Sequence, residues 1–462
     1  MKKIPKYLKL LFFIIIVLFI IFGSISSNKI PMYQMLLFCL IGMISILEIL
    51  LETKRKAFSL NLMHWLFILF FYFIAPVIQL MLNYHPWGIV SSKADINLTC
   101  IIILLWCLFY KIGNYFARKK QFNFNGKKKK RINVSIITVF ILTLLSIGSA
   151  IIIIRNVGLG NLFSRGTSSF VFEGNNSQMN SLITSHCTKA IIVFSLVVSA
   201  IKYQKDKRGL VFLITNAIIL LLTCFPTALA RNTAGIIYMG AIVILYYKNF
   251  NKIKGTIKYP LIFIVAFIIL FPAINAFRKV EFSQVNIKET LIDVVDNISS
   301  NYLSGDYDAF SMITNTKNYV SHNGTTMGKQ LFGSLLFFIP RSIWESKPVG
   351  SGSMIFGSLG HTFTNVSCPL IAEGFINFGY LGIVLFAILS GFVCSFIDEK
   401  YWHDIDDTNN HFNYICMLYP FLLPAYFFML RGDLMSTWSY MFVYIFIFYI
   451  LRITFIFKIK NR

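Results

Sequence analysis

Apolar runs of about 20 residues, separated by short polar and basic stretches, recur along this 462-residue chain. A run of that length crosses the hydrocarbon core of a bilayer as a helix, which satisfies its own backbone hydrogen bonds where no water can. Charged residues are only 13% of the chain, about half the share of a soluble domain. The runs fall at approximately 8–22, 31–51, 59–82, 98–116, 135–154, 188–201, 210–226, 233–247, 259–276, 370–397, 412–430 and 438–457. They predict an all-α, polytopic integral membrane protein with about twelve transmembrane helices. The first run follows Met1-Lys2-Lys3 like a signal-peptide core. No convincing small-residue cleavage site follows Gly23-Ser24, so it reads as a retained helix.

Charge orients these spans. The net charge is +24, from 43 Lys and Arg against 19 Asp and Glu. With the N-terminus in the cytoplasm, about 27 basic residues fall inside and about 13 outside, as the positive-inside rule requires. That distribution, with attraction to anionic headgroups, accounts for the basic excess without nucleic acid. Parity then keeps 210–247 as a hairpin with Thr227 to Asn232 at its outer tip, because one long helix would move the basic segment 248–258 and the C-terminal lysines outside. Both termini are expected in the cytoplasm. The loop at 398–411, with Asp398, Glu399, Asp404, Asp406 and Asp407, is expected inside.

The layout divides the chain into a nine-helix membrane region at 1–276, a large external loop at 277–369 between the ninth and tenth helices, and a three-helix membrane region at 370–462. A smaller external loop covers 155–187. Within the large loop, Ile287, Leu291, Val294, Val295 and Ile298 recur at helical spacing and predict an amphipathic helix at the interface. The run Leu331 to Ile339 is too short to span and reads as a partly buried or re-entrant element ending at Pro340. The eight cysteines show no C-x-x-C spacing. Cys187 and Cys368 both start spans near the outer face, which leaves a disulfide between them open.

No nucleotide loop and no H-E-x-x-H motif occurs, so neither a nucleotide cofactor nor a metal is implied. Outer-face arginines carry more information: Arg155, Arg165, Arg231, Arg278 beside Lys279, Arg341 and Arg431. A guanidinium grips phosphate or carboxylate with two parallel bonds. The competing explanation is helix anchoring by snorkelling; it is weakest for Arg231, in a tight turn between two short spans, and strongest for Arg155, Arg165 and Arg431. Glu373 at the outer end of the tenth span is either a general base or a salt-bridge partner. His361 is a second base candidate, set against a satisfied loop histidine. Asp306 and Asp308 flank Tyr307, with Asp306 equally readable as a helix cap. Tyr307 and Trp344 offer flat faces to sugar rings, as interface aromatics also do.

Three segments resemble bacterial O-antigen and capsule repeat-unit polymerases of the Wzy type. They are Phe337 to Pro348 around Pro340-Arg341, Ala372-Glu373-Gly374-Phe375-Ile376-Asn377-Phe378-Gly379 with Gly382, and Gly305-Asp306-Tyr307-Asp308-Ala309-Phe310. Some members carry R-x10-G in each of two outer loops, and Arg155–Gly166 and Arg341–Gly352 match it. The motif-level similarity covers about 305–382; elsewhere it is topological.

The resemblance implies a glycosyltransferase on the outer face of the bacterial plasma membrane. It would transfer a growing glycan from undecaprenyl diphosphate to an incoming lipid-linked repeat unit, without nucleotide sugar, cofactor or metal, alongside a chain-length regulator. Under that reading Arg231, Arg278, Lys279 and Arg341 hold the diphosphate. Glu373, or His361, serves as base, with Arg341 beside it in catalysis. Trp344, Tyr307, Asp306 and Asp308 meet sugar. The rival readings are a lipid-linked oligosaccharide flippase or other transporter, an O-antigen ligase, and a structural or receptor-like membrane protein.

Overall fold

The computed structural model describes residues 30–119, 134–159, 162–163, 177–226, 228–250, 292, 302–363, 365–405 and 412–456; side chains are left out at 177–183, 231 and 246–250. Every regular element among the described residues is helical. Eight helices are long and apolar enough to cross a membrane: α1 (Met32–Arg55), α2 (Leu60–Met81), α3 (Lys93–Lys119), α4 (Ile136–Val157), α5 (Ser177–Asp206, crossing from Thr184), α11 (Leu370–Ile405), α12 (Tyr414–Arg431) and α13 (Leu434–Phe455). Two shorter apolar helices, α6 (Leu210–Thr223) and α7 (Arg231–Phe250, apolar from Asn232), match the seventh and eighth expected spans. Between the membrane helices lie α8 (Ala309–Asn323), α9 (Lys329–Leu335) and α10 (Ser351–Ser358). The expected spans 8–22 and 259–276, the amphipathic helix at 287–298 except residue 292, and Arg165 lie outside the described residues.

The centre of the bundle is α2, α3, α11 and α12. Helices α3 and α11 touch backbone to backbone: a Cβ at Gly113 would sit 2.1 Å from the Ile388 carbonyl oxygen, and one at Gly391 2.1 Å from that of Tyr110. Small residues allow this approach, and in lipid it is close packing and polar contact that hold helices together. Asn61 donates to Ser395 Oγ (3.2 Å) and accepts from the Tyr110 hydroxyl (2.9 Å), while Ser395 donates to Asn114 Oδ1 (2.8 Å). The Asp398 carboxylate accepts from the Leu60 and Asn61 backbone N–H groups, from Asn61 Nδ2 (2.7 Å) and from the Tyr419 hydroxyl. It thus closes the open N-terminus of α2.

The sequence boundary at 397 is corrected here. Asp398, Glu399 and Asp404 are helical, because α11 runs on to Ile405. Asp398 is buried under the α2 N-terminus, and Asp404 pairs with Lys400 at 3.2 Å, so neither needs a solvated loop.

Helix α11 is broken. Phe378 and Gly379 leave helical geometry, and Gly379 has φ +61°. The break folds Gly374 onto Gly382 so tightly that a Cβ at Gly382 would lie 1.8 Å from the Gly374 carbonyl oxygen. Acceptors at the break are taken up by the stretch leading into α9 and by its first turn. The Ile376 carbonyl accepts from Thr326 N (2.8 Å), and Asn377 Oδ1 accepts from Leu331 N (3.0 Å). The first piece of α11, with Glu373, is therefore aimed independently of the rest.

Gly382→Ala is expected to lower the yield of monodisperse detergent-extracted protein more than Gly379→Ala. The first drives a Cβ into backbone and forces a shift, at or above the upper end of the about 1–3 kcal/mol overpacking range, whereas the second meets only ordinary contact and adds the roughly 1–3 kcal/mol strain of φ +61°, ψ −143°, a backbone region nearly confined to glycine. Size-exclusion chromatography of fluorescent fusions compares them.

Candidate functional site

Three helix N-termini meet at the end of the bundle opposite Asp398: those of α10, α11 and α13. Two carboxylates bind them together. Glu373, in the first turn of α11 and fully buried, accepts from Leu434 N (3.1 Å) and from the Ser351 hydroxyl (2.8 Å). Asp433 caps α13, accepting from Met435 N (2.9 Å) and Ser436 N (3.3 Å), and reaches across to Gly352 N (3.3 Å). Glycine is required on that far side. A Cβ at Gly350 would lie 2.3 Å from Asp433 Oδ2, and one at Gly352 2.4 Å from the Val366 carbonyl oxygen. The second close approach is the physical reason for the glycine in Arg341-x10-Gly352.

Beside this junction opens a cavity of about 460 Å³. Asp306, Asp308, Arg431 and Asp433 line it, with Trp87 and Phe363 as aromatic walls. Arg431, the last residue of α12, donates from Nε to the Asp306 carbonyl (2.7 Å) and from Nη2 to the Gly305 carbonyl (3.0 Å). The same Nη2 lies 3.6 Å from Asp308 Oδ1. Asp308 is fully buried and accepts from the Ser367 hydroxyl (2.6 Å) and from Trp87 Nε1 (2.9 Å). Burial pushes the Asp308 carboxyl above its ordinary value, and Arg431, Ser367 and Trp87 pull against it. Burial likewise raises Asp433, against the backbone N–H bonds of Ser436, Gly352 and Met435.

Trp87 holds an unusual position. It sits in a turn with φ +62°, a left-handed conformation that a bulky residue adopts only under constraint. Its ring lies on Gly305, where a Cβ would be 2.4 Å away, and packs at 5.4 Å against Phe363. Among the described residues no group of three His, Cys, Asp or Glu side chains is placed to hold a metal ion.

The structure brings together only part of the set read from sequence. Asp306 and Asp308 line the cavity, and Glu373 sits directly behind Asp433. Asp306 belongs to a short turn, and Asp308, not Asp306, precedes α8. Tyr307 is buried, its ring packed on Phe71 (5.2 Å) and Tyr302 (4.6 Å), so it serves the core. Arg341 is exposed and does not line the cavity; it donates to the Lys347 (2.7 Å) and Pro348 (3.2 Å) carbonyls. Trp344 donates to Ser346 Oγ within the same turn, and exposed His361 stacks on Phe356 at 5.0 Å. Neither lines the cavity. Arg231 opens α7, whose next residue, Asn232, is in the cavity wall; the Arg231 side chain, Arg278 and Lys279 lie outside the described residues. Cys187 and Cys368 are free thiols, so no disulfide joins them.

Sequence reasoning passed over Trp87 and Asp433 and set Arg431 aside as a helix anchor. The local signal was present in Arg431-Gly432-Asp433: a cation, a break and an N-cap between two apolar runs.

The family model described as O-antigen polysaccharide polymerase Wzy matches residues 10–462. Searches of curated proteins and of solved structures returned no match. The family match extends well beyond the motifs at 305–382 and favours the polymerase over the flippase and ligase readings. This multi-pass membrane protein belongs to the O-antigen polysaccharide polymerase Wzy family and joins oligosaccharide repeat units into polysaccharide.

Proposed function

We propose that polymerisation takes place in the cavity between Arg431, Asp433 and Trp87, on the outer face of the bacterial plasma membrane, with a lipid diphosphate as the leaving group. The acceptor is the terminal sugar of a second lipid-linked repeat unit. Its hydroxyl oxygen attacks the anomeric carbon of the donor glycan and forms the new glycosidic bond. The bond from that carbon to the diphosphate oxygen breaks, and its electron pair leaves with the diphosphate. The acceptor proton passes to Asp433, which lines the cavity, whereas Glu373 is enclosed behind it. Glu373 is the positioning residue: it holds Leu434 and Ser351 on either side of Asp433.

Arg431 stabilises the charge developing on the diphosphate. The N-terminus of α7 beside Asn232 adds the positive end of a helix dipole, with Arg231 as a second cation from the same place. Arg278 and Lys279 stay in this proposal as diphosphate contacts from the large loop, and Arg341 leaves it. Trp87, Phe363, Asp306 and Asp308 form the sugar-binding part: flat faces beside acceptors for hydroxyl groups.

The observation that carries this reading is one guanidinium and one carboxylate, two residues apart, in the wall of an aromatic-sided cavity. Purified protein in proteoliposomes, given lipid-linked repeat units, should release one polyprenyl diphosphate for each glycosidic bond formed, as counted by mass spectrometry. Bond formation with the carrier still attached, or released as a monophosphate, would overturn the donor assignment. Trp87→Ala should raise KM for the acceptor by about threefold to tenfold, the value of one aromatic contact. Trp87→Phe, which keeps the ring and loses the bond to Asp308, should fall between it and wild type.

A further inference from the structure

We infer that residues 327–349 are an in-plane element set into the bilayer leaflet beside the cavity, with an outer face that is a contact surface for lipid acyl chains. After exposed Lys329 at its start, the polarity of α9 is inverted relative to a helix in water. Gln330 and Ser334 are buried at 2% exposure each, while Phe332 and Leu335 point out. Gln330 donates inward to the Met354 sulfur and Ser334 to the Gln330 carbonyl. Met327, Phe338, Ile343 and Val349 continue the exposed apolar face, Ile343 at 78%. Water would drive the opposite arrangement; hydrocarbon drives this one.

The depth follows from ring contacts. Phe337 and Phe338 pack on Phe442 of α13 at 5.5 and 6.2 Å. Phe442 is eight residues beyond Leu434, about 12 Å along the helix axis. It stacks in turn on Phe446 (5.9 Å), a half-exposed residue on the outer surface of that membrane helix. The exposed face of 327–349 is thus continuous with the surface of α13 that meets the bilayer.

Backbone hydrogen bonding agrees. The stretch 336–349 is not a regular helix, and in hydrocarbon its carbonyls need partners from within the protein. Two cations provide them. Lys347 Nζ donates to the Phe337 carbonyl and to that of Ile339 (2.9 Å), and Arg341 donates to the carbonyls of Lys347 and Pro348.

The test is photocrosslinking of the full chain in proteoliposomes of phosphatidylethanolamine and phosphatidylglycerol. p-Benzoylphenylalanine is placed singly at Ile343, at Leu144 on the exposed side of α4, and at exposed His361. Phospholipid adducts are quantified by intact-protein mass spectrometry. The yield at Ile343 should lie within about twofold of Leu144 and roughly tenfold above His361, because only a hydrocarbon-embedded probe meets acyl chains. A yield equal to that at His361 overturns the inference, as does crosslinking of Ile343 mainly to a second copy of the chain. Phe332 as a second probe position guards against misfolding of one variant. Lipid attachment is read without polymer synthesis, so failure of the cavity mechanism leaves this result independent.

Discussion

Asp433→Asn should leave the membrane protein at wild-type abundance, in cells whose surface glycan shows single repeat units but no ladder of longer polymer. The asparagine carbonyl still accepts from Met435 and Ser436, so the α13 cap survives. The proton acceptor is lost, together with the 3.3 Å bond that the other carboxylate oxygen accepts from Gly352 N, and removal of a general base typically costs about 10²–10⁴ in rate. The pH profile gives an independent reading. With its carboxyl raised by burial, Asp433 takes up a proton at a higher pH than an ordinary aspartate. As base it works ionised, so polymerisation should fall as pH drops through that raised value, on a limb displaced above the usual carboxylate range. Glu373→Gln should weaken polymerisation by a smaller factor and keep that limb, because the glutamine carbonyl can still accept from Leu434. An unchanged ladder in Asp433→Asn would remove this residue from the mechanism.

Arg431→Ala should also abolish polymer, through both chemistry and folding. Loss of one stabiliser of developing negative charge costs about 10²–10³ in kcat. In addition, the buried Asp308 carboxyl loses its cation, and breaking one side of a buried pair costs about 3–5 kcal/mol. The double variant Arg431→Ala with Asp308→Asn separates the two effects: it should recover abundance, measured by in-gel fluorescence of a fusion, while polymer stays absent. Arg431→Lys keeps the charge but cannot reach the Gly305 and Asp306 carbonyls as a fork, so it should restore protein and only a few per cent of polymer. Polymer returning with the double variant would show that Arg431 is structural.

Membrane helices were legible because lipid imposes a length and a polarity that composition cannot disguise. Boundaries slipped where a charge was neutralised out of sight of local sequence. At 98–116, for example, the helix reaches back to Lys93, because Asp95 pairs with Lys317 of α8. The site was half legible. Asp306, Asp308 and Glu373 stand inside motifs and reach the cavity or its back wall. Arg341 stands in a motif too, but its fork is turned onto carbonyls of its own loop, and no spacing rule reveals where a side chain turns. Trp87 and Asp433 act through contacts with Gly305, Asp308 and Gly352, more than 80 residues away in each case. Such contacts are set by the fold alone.

The break in α11 carries a consequence for how such chains diversify. Its open carbonyl at Ile376 and the amide of Asn377 are served by Thr326 and Leu331, from a separate stretch of chain. Gly374 and Gly382, in turn, tolerate no side chain. A substitution at one of these places is therefore compensated only at the other. Across related sequences, 324–331 and 374–382 should drift as a linked pair, conserved in partnership even where the rest of the outer loop has diverged beyond alignment.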